Sequence, residues 1–202
     1  MRTTDLVVTI RRRLHALGRP SAARNRRRLE ARGEAPERFA IREARVEDLA
    51  ALARVHVAAW NSTHARFLGG GPSEAMRLRQ WTAKLASRPE GWFCYVAERP
   101  GGSIVGFASG RAYRSDDLSD FDAQLEKIYL LAEYQRIGLG RRLFHAVARR
   151  HLDEGRRSMV LFSQPDNPSC AFFEALGGER LLAPTGAFHG GYGWRDLSSR
   201  PA

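Results

Sequence analysis

The sequence is poor in cysteine and lysine, and it has no long apolar run. Its two cysteines, Cys94 and Cys170, belong to no CxxC pair or Cys/His cluster, which argues against a metal site and against a disulfide framework. No apolar run approaches the ~20 residues that span a membrane. The short apolar segment 6–10 precedes its arginines, unlike the core of a signal peptide. We therefore expect a cytoplasmic protein with no bound metal and no membrane partner.

Positive charge is concentrated at the N-terminus. The 202 residues carry a net charge of +11, and lysine occurs only at Lys84 and Lys127. Residues 1–38 hold eleven arginines against four acidic residues and account for +7 of that charge. We predict that 1–38 is a basic arm, solvated and mobile or partly helical, in front of a globular domain at 39–202. The alternative is an arm that contacts nucleic acid, an acidic surface or a partner chain.

The apolar periodicity of the remainder predicts an α/β domain. Alternating and apolar runs predict strands, a 3.6-residue repeat predicts helices, and Gly/Pro clusters separate them. The predicted order is β-α-α-β-β-β-α-β-α-β-β, with strands near 39–42, 92–97, 103–111, 125–131, 158–162, 180–182 and 187–194. The helices are predicted from about 47, 73, 139 and 168. This order is typical of a layered α/β domain.

A glycine-containing turn lies between the predicted strand at 125–131 and the predicted helix that begins near 139. Gly138-x-Gly140 would let the backbone approach a ligand, and the free N–H groups at the start of the helix would suit a pyrophosphate. Arg136, Arg141 and Arg142 add positive charge. A purely structural turn is the alternative interpretation. A Walker loop is disfavoured because arginines replace its Lys-Ser/Thr, and a Rossmann fingerprint because its third glycine is replaced by leucine at 143.

Two stretches together resemble the GNAT superfamily of N-acetyltransferases. Residues 125–140 (LEKIYLLAEYQRIGLG) resemble its acetyl-CoA-binding segment, and 167–178 (NPSCAFFEALGG) resemble its later Asn and aromatic-aromatic-Glu motif. The likeness covers about 39–196 and implies a mixed, mostly antiparallel central sheet flanked by helices, with acetyl-CoA as co-substrate. It implies that the cofactor is held by Ile128, Tyr129, Leu130, Gln135, Arg136, Ile137, Gly138, Leu139, Gly140, Arg141, Asn167 and Phe173.

The resemblance also suggests catalytic roles. Acetyl transfer needs a group that takes the amine proton and an N–H donor for the thioester oxygen. We predict Glu126 as the base and the Leu130 N–H as the donor; strand alternation would place both residues on one face. Phe173 stands where many members have an acidic tyrosine. Cys170 or Tyr134 could replace it, the thiolate could leave unaided, or the protein could bind acyl-CoA and catalyse poorly.

The acceptor is expected between the first two helices, their loop and the last hairpin. Trp60, His64 and Phe67 are the predicted substrate residues, and Asn61, His189 and Tyr192 are further candidates. The expected partner is a small-molecule or peptide amine, and a homodimer stays open. We predict an N-acetyltransferase acting by direct attack of a primary amine. The alternatives are an acyl-CoA sensor of weak activity and an RNA- or ribosome-associated protein that acts through 1–38.

Overall fold

A seven-stranded sheet forms the centre of the structure. This computed structural model describes residues 21–68 and 71–199, with backbone only for 64–68. The strands lie in the order β1-β2-β3-β4-β5-β7-β6, and every neighbouring pair is antiparallel except β4 and β5. The predicted mixed, mostly antiparallel sheet flanked by helices is therefore confirmed. The strands are β1 (Ala40–Glu43), β2 (Phe93–Glu98), β3 (Ile104–Ala112), β4 (Ala123–Leu130), β5 (Met159–Phe162), β6 (Glu179–Leu182) and β7 (Phe188–Trp194).

Helices cover both faces of the sheet. Leu52 of the second helix and Trp81 of the third pack with Phe107 of β3 on one face, while Leu143 of the fourth helix packs with Trp194 of β7 on the other. None of the described helices is long and apolar enough to cross a membrane. The helices are α1 (Ala22–Glu30), α2 (Leu49–Leu68), α3 (Glu74–Ser87), α4 (Leu139–Asp153) and α5 (Cys170–Ala175).

The sheet opens between its two parallel strands. β4 pairs with β5 only through Ala123 and Gln124, which lie opposite Met159 and Val160. Beyond Gln124, β4 continues to Leu130, and its edge toward β5 has no strand partner among the described residues. An unpaired strand edge leaves backbone N–H and C=O groups free for another extended chain. The fold thus builds a gap whose wall is the second half of β4.

A β-bulge reverses the alternation of side chains along β4. Ser109 lies opposite Lys127 while Gly110 lies opposite Leu125, so Glu126 is an extra residue in the strand. An extra residue shifts the faces of the residues that follow it. Leu130 packs in the core under α4, whereas Glu126 bonds to α3 on the opposite face. The prediction that Glu126 and Leu130 share a face is wrong for this reason.

The described part of the basic segment packs against the domain. Ser21 caps α1, and Leu29 is only 1% exposed within the core under α4. Residues 21–38 therefore differ from the solvated arm that composition suggested, because one face of α1 carries buried side chains among its arginines. The division at residue 38 stays a prediction, and residues 1–20 of the predicted arm lie outside the described residues.

Candidate functional site

The turn before α4 presents uncapped N–H groups beside the gap. Gly138 has a left-handed φ of 98° and is followed directly by the helix, which has no side-chain cap. The first described helical bond runs from the Arg142 N–H to the Gly138 carbonyl at 3.1 Å. The N–H groups of residues 139–141 have no described protein acceptor. The first N–H groups of a helix and its dipole favour an anion at this end.

The two glycines of the turn serve different neighbours. A Cβ at Gly138 would meet no atom within 4 Å, so this glycine faces open space. A Cβ at Gly140 would lie 3.1 Å from the ring of Phe172, so here glycine allows close packing of α5 against α4. Open space in front of free N–H groups is what a phosphate group needs. The residues present therefore fit a pyrophosphate.

The side chains of the turn hold its shape. Ile137 and Leu139 are buried and can offer a ligand only their backbone. Gln135 donates from Nε2 to the Leu130 carbonyl at 2.9 Å, which ties the turn to the end of β4. Arg136 adopts a left-handed φ of 64°, and both Arg136 and Arg141 are exposed. Their two charges remain free to attract an anion.

Arg142 has a structural use that its charge did not predict. Its guanidinium donates to the carbonyl oxygens of Pro36 and Phe39 at 2.8 and 2.6 Å. The expectation that Arg142 adds charge to the phosphate turn therefore needs correction, because this side chain points to the segment before β1. That contact fastens the segment to the first turn of α4.

Asn25 of α1 braces the approach to the turn. Its side chain is 2% exposed, and Nδ2 donates to the carbonyl oxygens of Ala132 and Gln135 at 2.9 and 2.8 Å. Arg32 adds a bond from Nη1 to the Tyr134 hydroxyl at 3.1 Å. The described part of the basic segment thus contacts the loop that leads from β4 into the glycine turn.

The Leu130 N–H points into the gap. The next N–H, that of Leu131, donates to the Val105 carbonyl on β3 at 2.9 Å. Backbone groups of successive strand residues point to opposite edges, so Leu130 faces away from β3. The Leu130 carbonyl also points away from β3, because it accepts a hydrogen bond from the Gln135 side chain and none from β3. The same alternation directs Ile128 toward the gap and Tyr129 toward β3. The position of Leu130 suits the predicted oxyanion donor, a role that stays a prediction.

Glu126 is held by four donors on the α3 face. Oε1 lies 2.7 Å from Lys84 Nζ and 3.2 Å from Lys127 Nζ, while Oε2 accepts from Trp92 Nε1 at 3.0 Å and Ser109 Oγ at 3.2 Å. Burial would raise the pKa of Glu126, but the bond from Lys84 and the two lysine charges outweigh it and lower the pKa to about 2. A carboxylate so stabilised is a weak base. Its predicted role as base stays untested and has little support from its surroundings.

The predicted acceptor residues are only partly described. Trp60 is half-buried, and the loop residue Gly71 lies against its ring and against the Asn61 side chain. The side chains of His64 and Phe67 lie outside the described residues. His189 is exposed near the start of β7, whereas Tyr192 is buried in the core under α4. The suggestion that Tyr192 lines the acceptor site is therefore wrong, because its side chain points to the other face.

Of the two candidate acids, Cys170 begins α5, close to Phe173, whereas Tyr134 lies elsewhere. Phe173 is 4% exposed, and its ring centroid lies 5.5 Å from that of Tyr192. The Tyr192 hydroxyl donates to Glu174 Oε1 at 3.2 Å, and burial, with Cys170 and Glu174 nearby, raises the pKa of Tyr192. The Tyr134 hydroxyl contacts Arg32 beside α1. Cys170 is thus the predicted candidate closest to Phe173 along the chain.

Asn167 caps the turn that leads into α5. Its Oδ1 accepts from the Ser169 N–H at 2.8 Å. This bond fixes the loop between β5 and α5 and engages the side-chain oxygen. The predicted contacts of Asn167 and Phe173 with a cofactor stay predictions.

Comparison with known proteins identifies the family. The model of the Acetyltransferase (GNAT) family matches residues 40–177. The chain belongs to the GNAT family of acetyltransferases. It is 35% identical over 166 residues to the uncharacterized N-acetyltransferase YuaI of Bacillus subtilis (strain 168). The matched region covers 79% of this chain and 94% of YuaI. The recognition made from the two sequence stretches is confirmed.

Solved GNAT structures share the fold. One is the PaiA N-acetyltransferase of Thermoplasma acidophilum in complex with coenzyme A, with a TM-score of 0.59 at 17% identity. The superposed region covers 77% of this chain and 97% of the PaiA chain. YncA of Salmonella typhimurium, with its cofactor acetyl-CoA, has a TM-score of 0.58 at 23% identity, with coverages of 81% and 96%. At these identities the likeness shows the architecture alone.

Several polar residues of the site were not found from the sequence. Asn25 lies in the segment whose arginines predicted a solvated arm. The sequence assigned no role to Arg77 of α3, whose Nε is buried without a hydrogen-bond partner among the described residues. A signal for Arg77 existed, because it precedes Trp81 by four residues and therefore shares its helix face. No sequence signal pointed to the contact between Asn25 and the loop at 132–135.

Proposed function

We propose that this GNAT protein transfers an acetyl group from acetyl-CoA to a primary amine by direct attack. The observation that carries the proposal is the gap between β4 and β5, which ends at the uncapped start of α4. An extended pantetheine arm fits an unpaired strand edge, and a pyrophosphate fits the N–H groups of residues 139–141. Family membership supports acyl transfer with coenzyme A.

The chain supplies positioning and electrostatic stabilisation. The amine nitrogen bonds to the thioester carbonyl carbon, the carbon–sulfur bond breaks, and the amine loses a proton as the thiolate gains one, leaving an amide and a free thiol. In this proposal the Leu130 N–H donates to the carbonyl oxygen as its negative charge grows. Arg136 and Arg141 hold the phosphate charge at the other end of the gap.

The proton path uses water in this proposal. Glu126 is already stabilised by two lysines, and Phe173 has no proton to donate. A thiol of ordinary pKa ~8.5 is a tolerable leaving group near neutral pH without an acid. Cys170, at the start of α5, is the residue to test if release proves to be assisted.

The test is thiol release from acetyl-CoA across a panel of amines, with mass detection of the acetylated product. Amine-dependent release with an amide product supports the proposal. Tight binding of acetyl-CoA without release from any amine would instead favour an acyl-CoA sensor, and transfer to a hydroxyl would show that the acceptor class is wrong. The comparisons support neither the sensor nor an RNA-associated role.

A further inference from the structure

Three polar atoms of α2 and α3 have no hydrogen-bond partner in the described part of the chain. They are Nδ1 of His56, Nε of Arg77 and Nε1 of Trp81, and each atom is buried. His56 as a whole is 3% exposed and Trp81 is 4% exposed. Buried polar atoms are normally paired, and leaving one unpaired costs about 1–3 kcal/mol. The rings of His56 and Trp81 are in contact, and Arg77 lies one helical turn before Trp81 on α3. Three such atoms on adjoining residues indicate a site that another group completes.

The cluster adjoins the proposed point of acetyl transfer. The His56 ring centroid lies 4.9 Å from that of Tyr129 and 5.9 Å from that of Trp81. Tyr129 directly precedes Leu130, whose N–H points into the gap. The Arg77 charge is close enough to act on the pKa values of both His56 and Tyr129. An acceptor bound against Tyr129 would therefore have its amine near the Leu130 N–H.

Arg77 has no counter-ion in the described part of the chain. Its Nη1 donates to the neutral Gln80 side chain at 2.8 Å, and no described carboxylate forms an ion pair with it. Glu126, the nearest acidic residue on this face of β4, is occupied by Lys84 and Lys127. Outside the described side chains only Asp5 is acidic. No described carboxylate therefore balances the charge of Arg77.

The chemistry of the unpaired atoms selects the ligand. Arginine Nε and tryptophan Nε1 only donate hydrogen bonds, so the missing group must offer acceptors. Burial and the charges of Arg77 and Lys127 lower the pKa of His56 to about 3, so at neutral pH the imidazole can donate or accept. Burial also lowers the pKa of Arg77, as expected for a guanidinium without a carboxylate partner. A planar carboxylate matches a guanidinium in charge and in geometry.

We propose that Arg77, with His56 and Trp81, binds a carboxylate of the acceptor, so that the acceptor is an amino acid or another amine that carries a carboxylate. This subsite rests on the proposed amine acetylation. A polyamine fits poorly, because a second ammonium would meet Arg77 and Lys127 instead of a free carboxylate. Two acidic residues of the loop before β4 are engaged elsewhere, because Asp122 accepts from the Ser158 N–H and Asp120 accepts from Arg195.

The test compares matched acceptors that differ only in the carboxylate. L-Phenylalanine is paired with 2-phenylethylamine, and L-leucine with 3-methylbutylamine, in the thiol-release assay with the full chain. We expect the carboxylate member of each pair to have the higher kcat/KM. Arg77→Gln should raise KM for that member about 10- to 100-fold, leave the decarboxylated member nearly unchanged, and leave the coenzyme A Kd unchanged. Arg77→Lys should recover part of the loss.

Arg79→Gln is the matched control, because Arg79 is an exposed arginine on the same helix. Equal or better use of the decarboxylated members would overturn the subsite, as would equal effects of Arg77→Gln and Arg79→Gln.

A binding measurement separates this outcome from failure of the proposed function. Calorimetry of L-phenylalanine and L-leucine with protein saturated in coenzyme A requires no turnover. If no amine is acetylated, Arg77-dependent binding keeps the subsite while the proposed function fails, and absence of binding removes both.

Discussion

Replacing Asn25 tests whether the N-terminal segment helps to shape the phosphate turn. The Asn25 amide donates two hydrogen bonds to carbonyl oxygens of the loop between β4 and α4, at 2.9 and 2.8 Å. Asn25→Ala removes both bonds and leaves a small void. Asn25→Asp keeps the shape but places a carboxylate oxygen where the donor was, against two carbonyl oxygens.

The expected loss follows from those two bonds. A bond made by a buried amide contributes about 1 kcal/mol net, and leaving its partner unpaired costs about 1–3 kcal/mol. Because the carbonyl oxygens are only partly buried, we expect Asn25→Ala to lower the free energy of unfolding by about 2–4 kcal/mol. Asn25→Asp should lower it by at least as much. If about 2 kcal/mol of this loss destabilises the binding-competent conformation of the loop, the affinity for coenzyme A falls by up to about 30-fold.

The assay is calorimetric titration with coenzyme A, with KM for acetyl-CoA and the melting temperature measured on the same samples. Arg26→Ala is the control, because Arg26 is an exposed residue of the same helix. We expect the Asn25 variants to raise Kd and the acetyl-CoA KM with little change in kcat. A lower melting temperature with a Kd equal to that of Arg26→Ala would refute the reasoning and make Asn25 a packing residue only.

Three further changes test the site. Gly138→Val places a side chain in the open space before the phosphate turn, at a left-handed φ of 98°. We expect it to lower the affinity for coenzyme A at least tenfold. The control is Gly155→Val, just after α4 at a φ of 81°, which should lower stability by a similar amount, about 1–2 kcal/mol, without changing that affinity. The pKa of Glu126 is about 2 in the folded protein and about 4.5 when unfolded, so the parent should lose stability as pH falls from about 4.5 toward 2. In Glu126→Gln this part of the pH dependence should be absent. Urea titrations should show that it amounts to at most about 3 kcal/mol of unfolding free energy in the parent. An unchanged pH–rate profile in that variant would exclude Glu126 as the base. Phe173→Tyr should keep or raise thiol release while lowering the melting temperature, because a hydroxyl buried there needs a partner; loss of activity at an unchanged melting temperature would contradict this.

The sequence was sufficient for features that depend on neighbouring residues. α3 begins near residue 73 as predicted, where Ser73 caps it by accepting from the Met76 N–H at 3.2 Å. The turn with Gly138 lies at the start of α4, where the pattern placed it. Both depend on the local periodicity, caps and glycine conformations of a few consecutive residues, which act in any fold that contains them. Element order and the family could be predicted for the same reason.

The tertiary structure decided everything that depends on which distant residues meet. The bulge at Glu126 arises only from the register of β4 against β3, and it moved this carboxylate to Lys84 on α3. Asn25 and its loop partners lie more than 100 positions apart, and Trp81 of α3 meets His56 of α2 and Phe107 of β3 only in the folded chain. Such contacts depend on packing and strand register, and neither is written in the periodicity of a single segment.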